Sequence, residues 1–202
     1  MKILRIYSDN PDGRYISEAV DALRDGDVII FPTGTLYALG CDALNHRAIE
    51  RMCGIKGIEP GQHPLSLVCA DLSQAADYVR IDNTAFRTLR HYLPGPFTFL
   101  LPAALRLPRI FKGRKTIGLR VPDSPIARAL AAELGNPLMC TSVALDEPEE
   151  AAEPESIAMR YAPDARLLID GGTGGTQGTA IIDLSDSSAP EVLREGPVEF
   201  EG

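Results

Sequence analysis

Apolar residues at Ile16, Ala19, Val20 and Leu23 recur at helical spacing and stop short of Gly26, which predicts a helix. The next run, Asp27-Val-Ile-Ile-Phe31, is β-branched and closed by Pro32, so it predicts a buried strand. Asn45 can cap a helix reaching to about Ile55, and Asp71 can open another. Between them Pro64–Cys69 reads as a strand. Further strands are predicted at Phe97–Leu101, Thr116–Val121, Leu138–Ser142, Arg166–Asp170, Ala180–Leu184 and Glu191–Leu193. The Ala-rich stretch Pro125–Leu134 is helical, with Gly135 as its stop. Strands alternating with helices predict an α/β sheet covered by helices. The strand-rich part from Arg166 onward points to a mixed, partly antiparallel sheet. Asp146–Pro154 reads as a surface loop, and no break in composition divides the chain. Residues 1–202 are therefore expected to form a single domain.

Composition changes this picture little. Hydrophobic residues make up 45% and charged residues 24%, ordinary values for a globular protein. No apolar run approaches the ~20 residues of a membrane helix. The N-terminus lacks an apolar signal-like segment, and Cys41, Cys53, Cys69 and Cys140 show no metal-ligand or CxxC spacing. They read as reduced thiols, and the expected location is the cytoplasm.

Charge says more through its distribution than its total. The net charge of −8 argues against a chain-wide nucleic-acid binder. From Asn83 to Pro122, however, there is no acid, and eight of the 20 basic residues fall there: Arg87, Arg90, Arg106, Arg109, Lys112, Arg114, Lys115 and Arg120. Such a stretch can focus a positive field on a phosphate-bearing ligand.

No stock catalytic motif is present: no GxxxxGK[ST], GxSxG or HExxH. His46, His63 and His91 have no evident acid or nucleophile partners. The glycine-rich Asp170–Gly178 follows a strand without a convincing helix after it, so it reads as a turn between strands. What stands out is polar chemistry at strand ends. Pro32-Thr-Gly-Thr-Leu-Tyr37 leaves the strand at Phe31 and brings Thr33, Thr35 and Tyr37 to a sheet edge where α/β ligands bind. Lys56 follows a helix. Alternation puts Thr116, Gly118 and Arg120 on one strand face. Thr141 and Ser142 close another strand, and Thr179 and Arg194 flank two more. Together these make an anion pocket of hydroxyls and cations.

The order PTGTLYALG, Lys56, PLSLVC, PGPFTFLL, KTIGLRVP, CTS, DGG…GTAIIDL and VLREG, running from Asp27 to Gly196, resembles the YrdC/YciO family. The resemblance implies a twisted open mixed sheet flanked by helices, with a positively charged concave face. It implies a threonylcarbamoyl-AMP synthase-type nucleotidyltransferase that uses L-threonine, bicarbonate and ATP, with Mg²⁺ on the triphosphate and no protein-bound metal, in tRNA threonylcarbamoyladenosine modification. Carried over to this chain, Thr35, Arg120, Ser142 and Thr179 match threonine-binding positions. Lys56, Thr116 and Arg194 match positions near the nucleotide, with Lys56 and Arg120 as the catalytic pair. An alternative within the same resemblance is binding of a nucleotide, double-stranded RNA or tRNA without synthase activity.

Three positions depart from the synthase pattern and place the chain closer to the YciO branch. Lys-x-Arg becomes Lys56-Gly57-Ile58, Ser-x-Asn becomes Ser142-Val143-Ala144, and a strand-terminal histidine becomes Cys69. Each lost charge-assisted contact is worth roughly 1.5–3 kcal/mol. Two such losses slow a reaction by roughly a hundredfold or more.

Overall fold

A computed structural model describes residues 1–6, 10–59, 65–104 and 114–201. Arg106, Arg109, Lys112 and His63 lie outside the described residues. Among the described residues no helix is long and apolar enough to cross a membrane.

The strands are β1 (Lys2–Arg5), β2 (Ile29–Phe31), β3 (Ala38–Asp42), β4 (Ser66–Val68), β5 (Phe97–Pro102), β6 (Thr116–Arg120), β7 (Leu138–Ser142), β8 (Leu167–Asp170), β9 (Ala180–Asp183) and β10 (Glu191–Arg194). The helices are α1 (Gly13–Arg24), α2 (His46–Lys56), α3 (Leu72–Ala75), α4 (Asn83–Tyr92), α5 (Pro125–Leu134) and α6 (Pro154–Tyr161). The strands form one open mixed sheet in the order β1-β8-β2-β3-β7-β4-β6-β5-β9-β10.

Local chemistry explains the helix starts. Side chains of Asp12, Asn45, Asp71, Asp82 and Ser124 each accept from a backbone N–H in the first turn that follows, satisfying donors the helix cannot. Gly57 and Gly135 end α2 and α5 in the left-handed region.

The mixed character of the sheet arises elsewhere than expected. Antiparallel pairing dominates the middle, where β2 meets β3, β3 meets β7, and β7 meets β4. In the C-terminal part only β9 with β10 is antiparallel, while β8 and β9 join earlier strands in parallel. The run after β2 is also more than an edge: Ala38–Asp42 is β3, and Pro32–Tyr37 is the connection that turns the chain back. The expected loop at Asp146–Pro154 contains a 3₁₀ turn at Glu150–Ala152, with Ala151 and Ala152 buried, and its last residue begins α6.

Coverage of the two faces is unequal, and this creates the site. One face packs against α2, α4 and α6 through residues such as Met52, Leu89 and Ile157. On the other, α1 and α5 cover β1, β8, β2, β3 and β7 with Val20, Leu23, Leu130 and Ala131. That second core takes no residue from β5, β6, β9 or β10. Their positions on this face are Thr98, Leu100, Thr116, Gly118, Arg120 and Ile181, whereas the alternating positions Phe97, Phe99, Ile117, Leu119 and Ile182 enter the opposite core.

Candidate functional site

The uncovered half of the face holds a cavity of about 540 Å³. Thr116, Gly118 and Arg120 of β6 lie side by side in it, as strand alternation predicts. Ser66, Thr98, Leu100, Cys140, Ser142, Thr179, Ile181, Leu193 and Arg194 surround them, with Lys56, Ile58 and Arg114 at the periphery. The lining thus carries Lys56, Arg114, Arg120 and Arg194 and, among the described residues, no carboxylate. Gly118 keeps the floor low: a Cβ there would stand 2.8 Å from Ser66 Oγ and 3.1 Å from Thr98 Cγ2.

Arg120 is the innermost cation. It is 9% exposed, and its Nη2 donates to Thr33 Oγ1 at 3.0 Å and Thr35 Oγ1 at 3.1 Å. Its Nε has no hydrogen-bond partner among the described residues. Burial, and less strongly the charge of Arg194, lower its pKa from the usual arginine value, yet a guanidinium remains charged at neutral pH. Thr35 is buried behind Arg120 and is not part of the cavity lining.

The Thr33–Tyr37 connection is held from several sides. Gly34 sits at φ +80°, and a Cβ there would approach the Asp123 carbonyl oxygen to 2.8 Å. Ser124 Oγ donates to the Pro32 carbonyl at 3.0 Å. The glycine-rich segment joins β8 to β9 without a helix, as expected, and it also lies against this connection as a strap. The Gly175 N–H donates to the Thr35 carbonyl at 2.8 Å, and a Cβ on Gly175 would come within 3.0 Å of that same oxygen. Tyr37 is fully buried; its hydroxyl donates to the Gly172 carbonyl at 2.7 Å and accepts from the Gly171 N–H at 3.1 Å. Burial pushes the Tyr37 hydroxyl up to about 12. Glycine there serves close approach of two backbones.

On the opposite wall Thr98 and Thr179 share a hydrogen bond of 2.7 Å between hydroxyls. Arg194 donates to the Thr179 carbonyl from Nε at 3.0 Å and Nη2 at 2.8 Å. Lys56, the last residue of α2, donates from Nζ to the Ser142 carbonyl at 2.7 Å. Desolvation lowers its pKa below the ordinary lysine value.

Of the residues singled out in the sequence, Lys56, Thr116, Arg120, Ser142, Thr179 and Arg194 therefore share one cavity, with Thr35 behind Arg120. The substituted positions part company. Ile58 lines the cavity beside Lys56. Ala144 lies in another depression with Leu145, Asp146 and Glu150, its backbone tied on both sides to the Tyr161 hydroxyl. Cys69 is fully buried in the core beneath the other face. Arg114, read in the sequence only as part of the basic stretch, also lines the cavity. Sequence reasoning missed Ser66 and Thr98, polar positions within apolar strands whose alternation carried the signal that would have found them.

Residues 21–196 match the Sua5/YciO/YrdC family, described as Telomere recombination. YciO of Escherichia coli K12, described as uncharacterized, is 43% identical over 194 residues, 95% of this chain and 93% of that protein. Its crystal structure superposes with a TM-score of 0.91 at 41% identity, covering 100% of this chain and 98% of that one. The threonylcarbamoyl-AMP synthase of Vibrio vulnificus YJ016 is 30% identical over 185 residues, 90% of this chain and 98% of that protein. P. abyssi Sua5, solved in complex with L-threonine, superposes with a TM-score of 0.87 at 28% identity over 97% of this chain and 58% of that one.

Proposed function

The chain belongs to the Sua5/YciO/YrdC family, and from that premise we propose that it is a threonylcarbamoyl-AMP synthase-type nucleotidyltransferase of low rate or altered substrate. The observation that carries this reading is Arg120, a buried guanidinium with an unpartnered Nε and no ion-pair partner among the described residues. A buried charge is costly unless something supplies the counter-charge, and an amino-acid carboxylate does so with matching geometry. The L-threonine held by the related P. abyssi Sua5 supports that assignment.

In this reading Thr35, Ser142 and Thr179 orient the amino acid around Arg120. Lys56, Thr116 and Arg194 face the phosphates of ATP. L-Threonine and bicarbonate combine with loss of water to a carbamate. A carbamate oxygen then bonds to the α-phosphorus as the bond to pyrophosphate breaks. Substitution of this kind depends on alignment and on fixed cations more than on a protein nucleophile. Mg²⁺ enters as the ATP complex, because the lining offers cations and hydroxyls but, among the described residues, no carboxylate to hold it. The product is the donor for tRNA threonylcarbamoyladenosine formation, a reaction of the cytoplasm.

Ile58 favours a second reading, in which a nucleotide or double-stranded RNA occupies the same face without turnover. An alkyl group beside Lys56 supplies no charge to a transition state. Calorimetric titration with ATP, L-threonine and a short RNA duplex tests the two. The synthase reading expects binding of ATP and of threonine, with threonine binding lost in Arg120→Ala. RNA binding with no response to threonine would replace it by the second reading.

A further inference from the structure

Arg194 owes its place to features outside the cavity. β10 is the outermost strand beyond β9, and each of its residues is exposed. A β-bulge between Val192 and Arg194 sets Arg194 opposite Ile181, where a regular register would set it opposite Ala180. Ile181 faces the cavity and Ala180 the opposite core, so the extra residue, Leu193, turns the guanidinium onto the cavity side.

An exposed edge strand paired on one side has little of its own to hold it. The chain that follows supplies the hold. At Gly196 the backbone presses onto the start of β9, where a Cβ would stand 2.2 Å from the Ala180 nitrogen. The chain then reaches the opposite face. There Phe200 packs on Tyr92 and Phe99, with ring centroids 4.8 Å and 6.2 Å away. The Tyr92 hydroxyl donates to the Glu201 carbonyl at 3.1 Å and accepts from the Glu201 N–H at 3.0 Å.

We infer that the Tyr92–Phe200 clasp positions Arg194, fixing its guanidinium on the cavity wall for the phosphates of a nucleoside triphosphate. The assignment of the ligand rests on the function proposed above; the mechanical link between clasp and guanidinium does not. Tyr92 and Phe200 touch no ligand and act through Arg194.

Two measurements on the full chain test this. The first needs no ligand: phenylglyoxal modification of Arg194, followed by peptide mass mapping. With the guanidinium bound to the Thr179 carbonyl, labelling should be slower than at a freely solvated arginine. In Phe200→Ala it should be about threefold faster or more, because local opening of β10 becomes easier. Tyr92→Phe, which removes only the hydroxyl, should give a smaller rise. The second is ATP affinity by calorimetry. Arg194→Ala should weaken it about tenfold, the scale of a charge-assisted contact. Phe200→Ala should lose part of that, and Phe200→Ala combined with Arg194→Ala should bind no more weakly than Arg194→Ala alone. Unchanged labelling in Phe200→Ala overturns the inference. So does a double variant weaker than Arg194→Ala, since Phe200 would then act by another route. Faster labelling in a protein whose ATP affinity ignores Arg194 upholds the clasp and removes the nucleotide role.

Discussion

In the proposed site, Arg120 sets function against stability. Its guanidinium is buried, donates to two threonine hydroxyls and, among the described residues, leaves Nε without a partner. A buried unsatisfied charge is a cost that an apolar side chain of similar length would avoid. Arg120→Met should therefore stabilise the ligand-free protein, by about 1–3 kcal/mol, while abolishing threonine binding. Thermal unfolding with a parallel titration measures both, and a lower melting temperature would contradict the first half. Lys56 gives a pH signature. Its pKa is depressed below 10.5 by desolvation, so the ammonium loses its proton at a lower pH than a solvated lysine would. ATP affinity should fall on the alkaline side, starting below 10.5, and Lys56→Arg should flatten that fall. Stability has the opposite sign: the penalty for burying the charged lysine is present at neutral pH and is relieved as pH rises through the folded-state value. An alkaline profile identical in wild type and Lys56→Arg would assign the loss to another group.

At the scale of elements, legibility followed local signal. The bounds of α5 and β7 were readable because Pro125 and Gly135 punctuate the first, and an apolar run closed by hydroxyls marks the second. β3 was not. Ala38-Leu-Gly-Cys-Asp42 is small-residue sequence, and it becomes a strand through pairing with β2 and β7, the latter about a hundred residues away. α4 escaped for a related reason: it buries only Ala85 and Leu89, too few apolar positions to establish a period. The Asp170–Gly178 segment does join two strands without a helix, as read, but its packing against the Thr33–Tyr37 connection was not legible, because glycine marks turns and close approach alike. The floor of the cavity offers a test at this scale. Gly118→Ala sets a methyl against Ser66 and Thr98, and should destabilise by about 1–3 kcal/mol as overpacking does. Disturbing the Thr98–Thr179 pair should also weaken threonine binding. Wild-type affinity together with wild-type stability would mean that the floor yields more easily than its geometry implies.

For the whole molecule, the period-two pattern predicted which residues face together, while the cavity itself depends on something less local. α1 and α5 cover only part of one sheet face, and that follows from strand order. No window of sequence states that order, because β4 meets β6 and β5 meets β9 only through long crossovers. The same geometry separates two substitutions that look equivalent in the sequence. Ile58 lines the cavity and Ala144 does not, so Ile58→Arg alone should raise synthase activity, with Ala144→Asn adding little. Equal gains from both would place Ala144 nearer the reacting groups than its surroundings indicate. The central claim, that Arg120 and the cations around it serve adenylation of a threonine carbamate, is tested most directly by pyrophosphate release from ATP. Wild-type protein should release pyrophosphate slowly, only with both L-threonine and bicarbonate present, and Arg120→Ala should release none. Release that ignores threonine, or none from the wild type at saturating substrates, would contradict it.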